Sequence, residues 1–449
     1  MHDATALATA IDQGRVTALE VMEATLSACD QQADLGAVVH LDAAMGRAGA
    51  RAADAAPRAG RGPFHGVPFM AKDLGSMAAG LPLAAGAEAF RDGPTPASDS
   101  DLFAGFRRTG LVPFGVTASP PFGLSLSCEP DGLRPTRNPW NTDLTPGGSS
   151  GGAAASVAAG IVAIAHATDA AGSIRVPAAC CGLTGLKPSR GTVPGGPDYS
   201  NHLMGLASEL VLARSVRDVD MAFRAIAPCE GPQAAPVRIG LAIPDRCAPV
   251  YAQAARDMAA ALQDAGFEVQ DMPAPDALGA EAHDIARIIL TASLAEWLTA
   301  CEVLDADVPP LAAAMAAMGR AMPATELFAA SRRMAQVGAA AVQLFDEVEA
   351  IVMPVLSGPP PPVGHFDLTG KDPVAHMARL EAFAPNAALA NTAGLPALAL
   401  PFGMVDGLPV GAQLIGPQSA DLMLLGLGAI IEARAPALTF PYPIAGLPT

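Results

Sequence analysis

Lysine is almost missing from this chain: among 449 residues only Lys72, Lys187 and Lys371 carry an amine, and arginine supplies nearly all the other positive charge. Charged residues of every kind make up 16% against 51% hydrophobic residues, which excludes a disordered chain. No run of Lys and Arg is present and the formal net charge is −17, so a phosphate backbone would be repelled and nucleic acid is not an expected partner. The seven cysteines (Cys29, Cys128, Cys180, Cys181, Cys229, Cys247 and Cys301) are odd in number and lack C-x-x-C spacing. That sets aside a disulfide framework and a zinc site and fits reduced thiols. Long hydrophobic runs are absent too. The most apolar, residues 153–165, is interrupted by Ser156 and Gly160 and falls short of the roughly 20 residues that span a bilayer. The opening MHDATALATAIDQGRV has no basic segment followed by an apolar core, so no secretory signal is expected. The expectation is a cytoplasmic protein with no membrane contact, no metal and no cofactor.

What is present is a chain long enough for a large core, with helix-like and strand-like patterns in alternation. Apolar positions recur at helical spacing over residues 3–30, and a second helical stretch is expected near 38–55. Val67 to Ala71 is a short apolar strand that delivers Lys72 at its end. A helix over Leu102–Arg108 and a strand over Gly110–Val116 follow. Further on, strands are expected at Val237–Ile243, Phe267–Asp271 and Ala350–Val355, and helices at 249–265 and through most of 280–348. The end of the chain reads as a helix over 380–391, strands near 397–401 and 409–415, and a helix over 420–433. The fold class is α/β, a mixed sheet covered by helices. No composition break marks a linker, so one domain over 1–449 is expected. Within it lie an N-terminal helical segment to about 60, a core from about 64 to 240, a variable helical region over about 245–345 and a core return from about 346.

Two glycine-rich loops carry serines. In TPGGSSGG, residues 145–152, a serine could cap the following helix. The G-x-S-x-G pattern of a nucleophile elbow also fits, but the preceding RNPWNTDLTP is no strand. A phosphate loop lacks its G-K-[ST]. In ATDAAGSIR, residues 167–175, a buried-strand pattern feeds a loop of small residues ending at Ser173. Such a loop can turn successive N–H groups toward one developing oxyanion, or can be a tight turn with a capping serine. A serine needs a base. His166 is near in sequence but packs or bonds locally on a strand reading. A desolvated lysine serves if its pKa falls by roughly three units from 10.4, at about 4 kcal/mol. Lys72 is the candidate, against a salt bridge to Asp73, and Lys187 is a weaker one.

Taken together, GVPFMAKDLG, TPGGSSGGAAASVAAG, ATDAAGSIRVPAACCGLTGLKPSRG and NTAGLPALALPFGMVDGLPVGAQLIGP resemble the amidase signature enzymes, densely over residues 64–194 and again over 391–417. The wording is most similar to the branch of cyclic oligo-amide hydrolases and aryl-acyl amidases. The resemblance implies the amidase signature fold and a Ser–cis-Ser–Lys triad of Lys72 as base, Ser149 as bridge and Ser173 as nucleophile. The family's spacing of 24 positions between the two serines is met here. It further implies a cis Gly148–Ser149 peptide, an oxyanion hole from the N–H groups of Ala170, Ala171, Gly172 and Ser173, and support from Ser150, Asp169 and Arg175. The chain departs from the family at Ala171, where a glycine is usual, and at Val116 and Pro121, where a lysine and a glutamate are usual. The implied function is hydrolysis of small apolar or aryl amides through an acyl-enzyme, extending to esters and carbamates. The alternative is a glutaminase-type subunit of a tRNA-dependent amidotransferase. The pocket is expected from the Ala/Met-rich helices between 280 and 345, with Leu124 to Ser127 and Cys128 at its mouth and Cys301 facing the substrate. The small amide substrate is the expected partner, and the N-terminal helical pair leaves room for a homodimer.

Overall fold

Strand pairing gathers sequence-distant segments into one sheet. In the computed structural model, which describes residues 2–197, 202–227 and 238–448, eleven strands are seen. They are β1 (Val38–Leu41), β2 (Pro68–Lys72), β3 (Val112–Thr117), β4 (Ile164–Asp169), β5 (Thr184–Lys187), β6 (Ser208–Ala213), β7 (Arg238–Ala242), β8 (Glu268–Met272), β9 (Ala350–Met353), β10 (Ala397–Val405) and β11 (Leu408–Ile415). Their order across the sheet is β1-β3-β2-β4-β6-β5-β10-β11-β9-β7-β8. Strand β2 runs parallel to both β3 and β4, whereas β4 and β6 are antiparallel. The sheet is therefore mixed, as expected from the sequence.

Strand β2 reads PFMAK and is buried along its whole length, paired on both edges and packed against the helices Ala18–Gln31 and Gly151–Ala158. Burying Phe69 and Met70 contributes roughly 1.5–3 kcal/mol each, which offsets the cost of taking the Lys72 amine out of water. The helix Gly151–Ala158 is also buried throughout, which its small side chains, Gly, Ala, Val and Ser156, permit. At the N-terminus, the expected helical region is two helices, Ala4–Asp12 and Ala18–Gln31. The second starts at a capping box in which Thr17 and Glu20 satisfy each other's backbone N–H.

The expected helix near 38–55 is half right. Val38–Leu41 is an edge strand paired with β3, and only Ala43–Ala55 is helical, capped by Asp42. The β-branched pair Val38-Val39 suits the pleat, and the neighbouring strand supplies the partner that local periodicity cannot reveal. Likewise, the expected helix over 380–391 is two helices, Pro373–Phe383 and Ala387–Ala393. Val237 and Cys229 lie outside the described residues; the other six cysteines are free thiols. No helix among the described residues is long and apolar enough to cross a membrane.

Candidate active site

Lys72 ends β2 between two neighbouring strands, and its side chain is fully buried. Its Nζ lies 2.7 Å from Ser149 Oγ and 2.7 Å from Thr168 Oγ1. Burial pushes the amine down to about 7, against the partly opposing pull of Glu209, Asp169 and Asp73. The weighed salt bridge to Asp73 does not form. Asp73 turns away to accept the N–H groups of Ala84 at 2.6 Å and Gly86 at 2.9 Å, and burial raises its carboxyl to about 6.

The Gly148–Ser149 peptide bond is cis. A Cβ at Gly148 would sit 2.1 Å from the Ser127 carbonyl oxygen, so only glycine fits beneath that strand of backbone. Ser150 does not cap the helix that follows. Its hydroxyl donates to the Thr168 carbonyl at 3.1 Å and accepts the Thr168 N–H at 3.2 Å, while its own N–H donates to the Ser173 carbonyl at 3.3 Å. These bonds stitch the first serine loop to the second, with Ser149 and Thr168 on the amine and the Ser173 carbonyl on the Ser150 N–H.

The second loop leaves β4 at Asp169 and enters the helix Arg175–Cys181. Asp169 and Arg175 form a fully buried ion pair, with Nε to Oδ2 at 3.0 Å and Nη2 to Oδ1 at 3.1 Å. Burial alone would raise the Asp169 carboxyl, but the Arg175 guanidinium outweighs it and holds the group down at about 2. Arg175 also reaches Asn391 Oδ1 at 2.7 Å, the Ala387 carbonyl at 2.7 Å and Gln413 Oε1 at 3.1 Å. Asn391 in turn donates to the Asp169 carbonyl at 2.8 Å. Removing either charge would strand the other inside the core.

One expectation for this loop needs correcting. The Gly172 N–H donates to Asp169 Oδ1 at 2.7 Å, because a buried carboxylate draws in the donors within reach, and it is not free for an oxyanion. Among the described residues, the N–H groups of Ala170, Ala171 and Ser173 have no hydrogen-bond partner. Ala171 tolerates the loss of the usual glycine because the left-handed backbone falls one residue later, at Gly172 with φ +113°.

Ala170, Ala171 and Ser173 face a narrow cavity of about 30 Å³. Its other walls are mostly apolar: Leu124 and Leu126, with Ser125 between them, from one loop, Leu290 from the helix Asp276–Ala300, and Met377 and Leu380 from the helix Pro373–Phe383. His283 also lines it, kept neutral by burial that lowers it to about 4.

Three of the expected pocket residues lie elsewhere. Ser127 is buried beneath Gly148, its hydroxyl 3.0 Å from that of Ser125. Cys128 is wholly buried behind the first serine loop, accepts from Thr136 at 3.3 Å and has its thiol pushed up to about 11 by burial. Cys301 is exposed at the end of its helix, roughly three turns beyond Leu290. Lys187 is buried and bonds the Pro188 carbonyl at 2.6 Å. Missed by sequence reasoning were Thr168, Asn391 and Gln413. Thr168 stands inside the quoted ATDAAGSIR, but its contact with Lys72 depends on β2 lying beside β4. Among the described residues, no cluster of three or more His, Cys, Asp or Glu side chains is placed to hold a metal ion.

A family model described as Amidase matches residues 20–425. The chain belongs to the amidase family. "Putative amidase AmiC" of Mycobacterium bovis is 33% identical over 457 residues, covering 97% of this chain and 94% of that protein. The "6-aminohexanoate-cyclic-dimer hydrolase" of Pseudomonas sp. is 29% identical over 489 residues, covering 97% and 95%. A solved structure of 6-aminohexanoate cyclic dimer hydrolase complexed with substrate superposes with a TM-score of 0.88 at 27% identity, covering 99% of this chain and 98% of that one. As an amidase-family member the chain is an amide hydrolase, and the elements that carry Lys72, Ser149 and Ser173 fall within the matched residues.

Proposed function

We propose that this amidase cleaves small apolar amides through a Ser–cis-Ser–Lys triad, with Lys72 as base, Ser149 as relay and Ser173 as nucleophile. The observation that carries the reading is the fully buried Lys72 amine 2.7 Å from Ser149 Oγ, with its proton affinity lowered to about 7. A neutral amine has the lone pair a relay needs. Lys72 takes the Ser149 hydroxyl proton as Ser149 takes that of Ser173, and Ser173 Oγ bonds to the substrate carbonyl carbon. The carbonyl electron pair moves onto oxygen, where the unengaged N–H groups of Ala170, Ala171 and Ser173 receive it. On collapse the C–N bond breaks, the departing nitrogen gains the proton back through Ser149, and water then releases the acyl group from Ser173. Asp169, Arg175 and Ser150 hold the loop without touching the reacting atoms.

The same steps serve esters and carbamates, whose carbonyls pass through the same tetrahedral oxyanion. The apolar cavity beside Ser173 favours a short acyl group with an aryl or alkyl amine as leaving group. The test is a panel of acetanilide, longer-chain anilides, a primary amide, an aryl ester and a carbamate compared by kcat/KM, with Ser173→Ala as control. Short anilides should lead. Ser173→Ala should lose about 10⁴-fold or more and all labelling by a fluorophosphonate; a labelled or active Ser173→Ala protein would refute the nucleophile.

A further inference from the structure

Two buried side chains near Lys72 have no part in the chemistry above. We propose that His166 and Glu209 are a positioning pair that grips the Lys72–Ser76 turn at both ends and sets a negative charge beside the Lys72 amine. The inference rests on Lys72 acting as that base.

Strand register explains how the pair meets the lysine. In β4, His166 and Thr168 are two residues apart and share a face. Across the antiparallel pair Thr168 stands opposite Glu209 of β6, so all three side chains look toward Lys72. Thr168 takes the amine at 2.7 Å. His166 Nδ1 accepts the main-chain N–H of Lys72 at 3.2 Å. That bond fixes the tautomer, because an accepting Nδ1 leaves the proton on Nε2. Nε2 lies 3.3 Å from Glu209 Oε1 without forming a full hydrogen bond, so the contact is mainly electrostatic.

Glu209 grips the other end of the turn. It accepts the Ser76 N–H at 2.9 Å and a short hydrogen bond from the Ser76 hydroxyl. Between the two grips the chain passes so close that a Cβ at Gly75, where φ is +116°, would stand 2.2 Å from Glu209 Oε1. The rings of Phe103 and Phe106, centred 5.0 and 6.0 Å from the His166 ring, shut water out. A rigid turn matters because the amine must hold its lone pair toward Ser149 through both proton transfers.

Charge gives the pair its second role. The acidic groups that act on the Lys72 amine are Glu209, Asp169, Asp73 and the Cys128 thiol. Asp169 is matched by Arg175, Asp73 is turned away onto the N–H groups of Ala84 and Gly86, and burial raises Cys128 out of the anionic range. Glu209 is faced by His166, Ser76 and His202; burial alone would raise its carboxyl, but the His166 and Ser76 contacts outweigh it and keep it anionic. Its negative charge opposes the desolvation of Lys72 and keeps the amine from becoming too weak a base.

The experiment is the pH dependence of kcat/KM on acetanilide for wild type, Glu209→Gln, His166→Leu and His166→Asn. Wild type should lose rate below a single acidic limb; a wild type without a limb defeats Lys72 as base and says so independently of the pair. With the wild-type limb present, Glu209→Gln should move it to lower pH by about 0.5–1 unit, and an unmoved limb overturns the charge role. His166→Leu should lower kcat about tenfold, and His166→Asn, whose amide oxygen can accept the Lys72 N–H, should recover most of it. Equal impairment in the two His166 variants overturns the grip. If Glu209→Gln gives no cooperative melt, the His166 comparison alone decides.

Discussion

Lys72 and Lys187 are a natural contrast inside one molecule. Each ends a strand, each is buried to within 1%, and burial lowers each to about 7. By those measures they are the same residue. Their partners differ. The Lys72 amine meets two hydroxyls at 2.7 Å, and a hydroxyl has a proton to give. Lys187 meets the Pro188 carbonyl at 2.6 Å, which has none, and Ser208 Oγ only at 3.5 Å. Desolvation makes an amine willing to be neutral; whether it then works as a base depends on what stands in front of its lone pair.

The contrast breaks most sharply by substitution. Lys72→Met should reduce kcat/KM by about 10³-fold or more, whereas Lys187→Met should stay within roughly tenfold of wild type. Comparable losses in steady-state assays would erase the distinction. Next in size is the buried pair beside both lysines. Asp169→Asn leaves the Arg175 charge without its partner and should cost about 3–5 kcal/mol in urea unfolding; a midpoint near wild type would mean that Asn391 and Gln413 suffice.

The pH dependence separates the two amines again. The rate should fall about tenfold per pH unit below about 7, as Lys72 gains a proton and loses its lone pair. Stability follows both lysines. Between about 7 and the ordinary lysine value of 10.5 the unfolded chain holds protons that the folded chain does not, so stability should rise with pH through that window. Lys187→Met should flatten part of that rise and leave the rate limb in place. If it shifts the rate limb, the lysines are coupled and the contrast is too simple. The smallest effect concerns the cavity. Met377→Ala should raise kcat/KM for longer-chain anilides relative to acetanilide by roughly tenfold, and an unchanged ratio would move acyl selection to another wall.

Much of this was legible in the chain. The pattern PFMAK announced a buried strand ending in a lysine, and the two Gly/Ser loops announced close backbone approaches, because local composition dictates local geometry. Val38–Leu41 was misread because a short edge strand declares itself only through its partner, here β3. Thr168, His166 and Glu209 converge on Lys72 only once β4 lies between β2 and β6. Of the expected pocket, Leu124, Ser125, Leu126 and a helix through 280–300 do line the cavity, whereas Ser127, Cys128 and Cys301 do not, for a related reason. Cys301 is on the right helix but beyond the stretch that faces Ser173, and helical phase relative to a distant site is not written in a helix's own periodicity.

The sequence by itself determined the elements, the paucity of lysine that made Lys72 conspicuous, and the family motifs, since these depend on neighbours a few positions apart. Only the tertiary structure decided which of two buried lysines faces a hydroxyl, which loop N–H groups stay unengaged and which apolar side chains enclose Ser173. Those outcomes depend on strand order and on helices packed across more than a hundred residues of intervening chain, and the free energy of such contacts belongs to the assembled core.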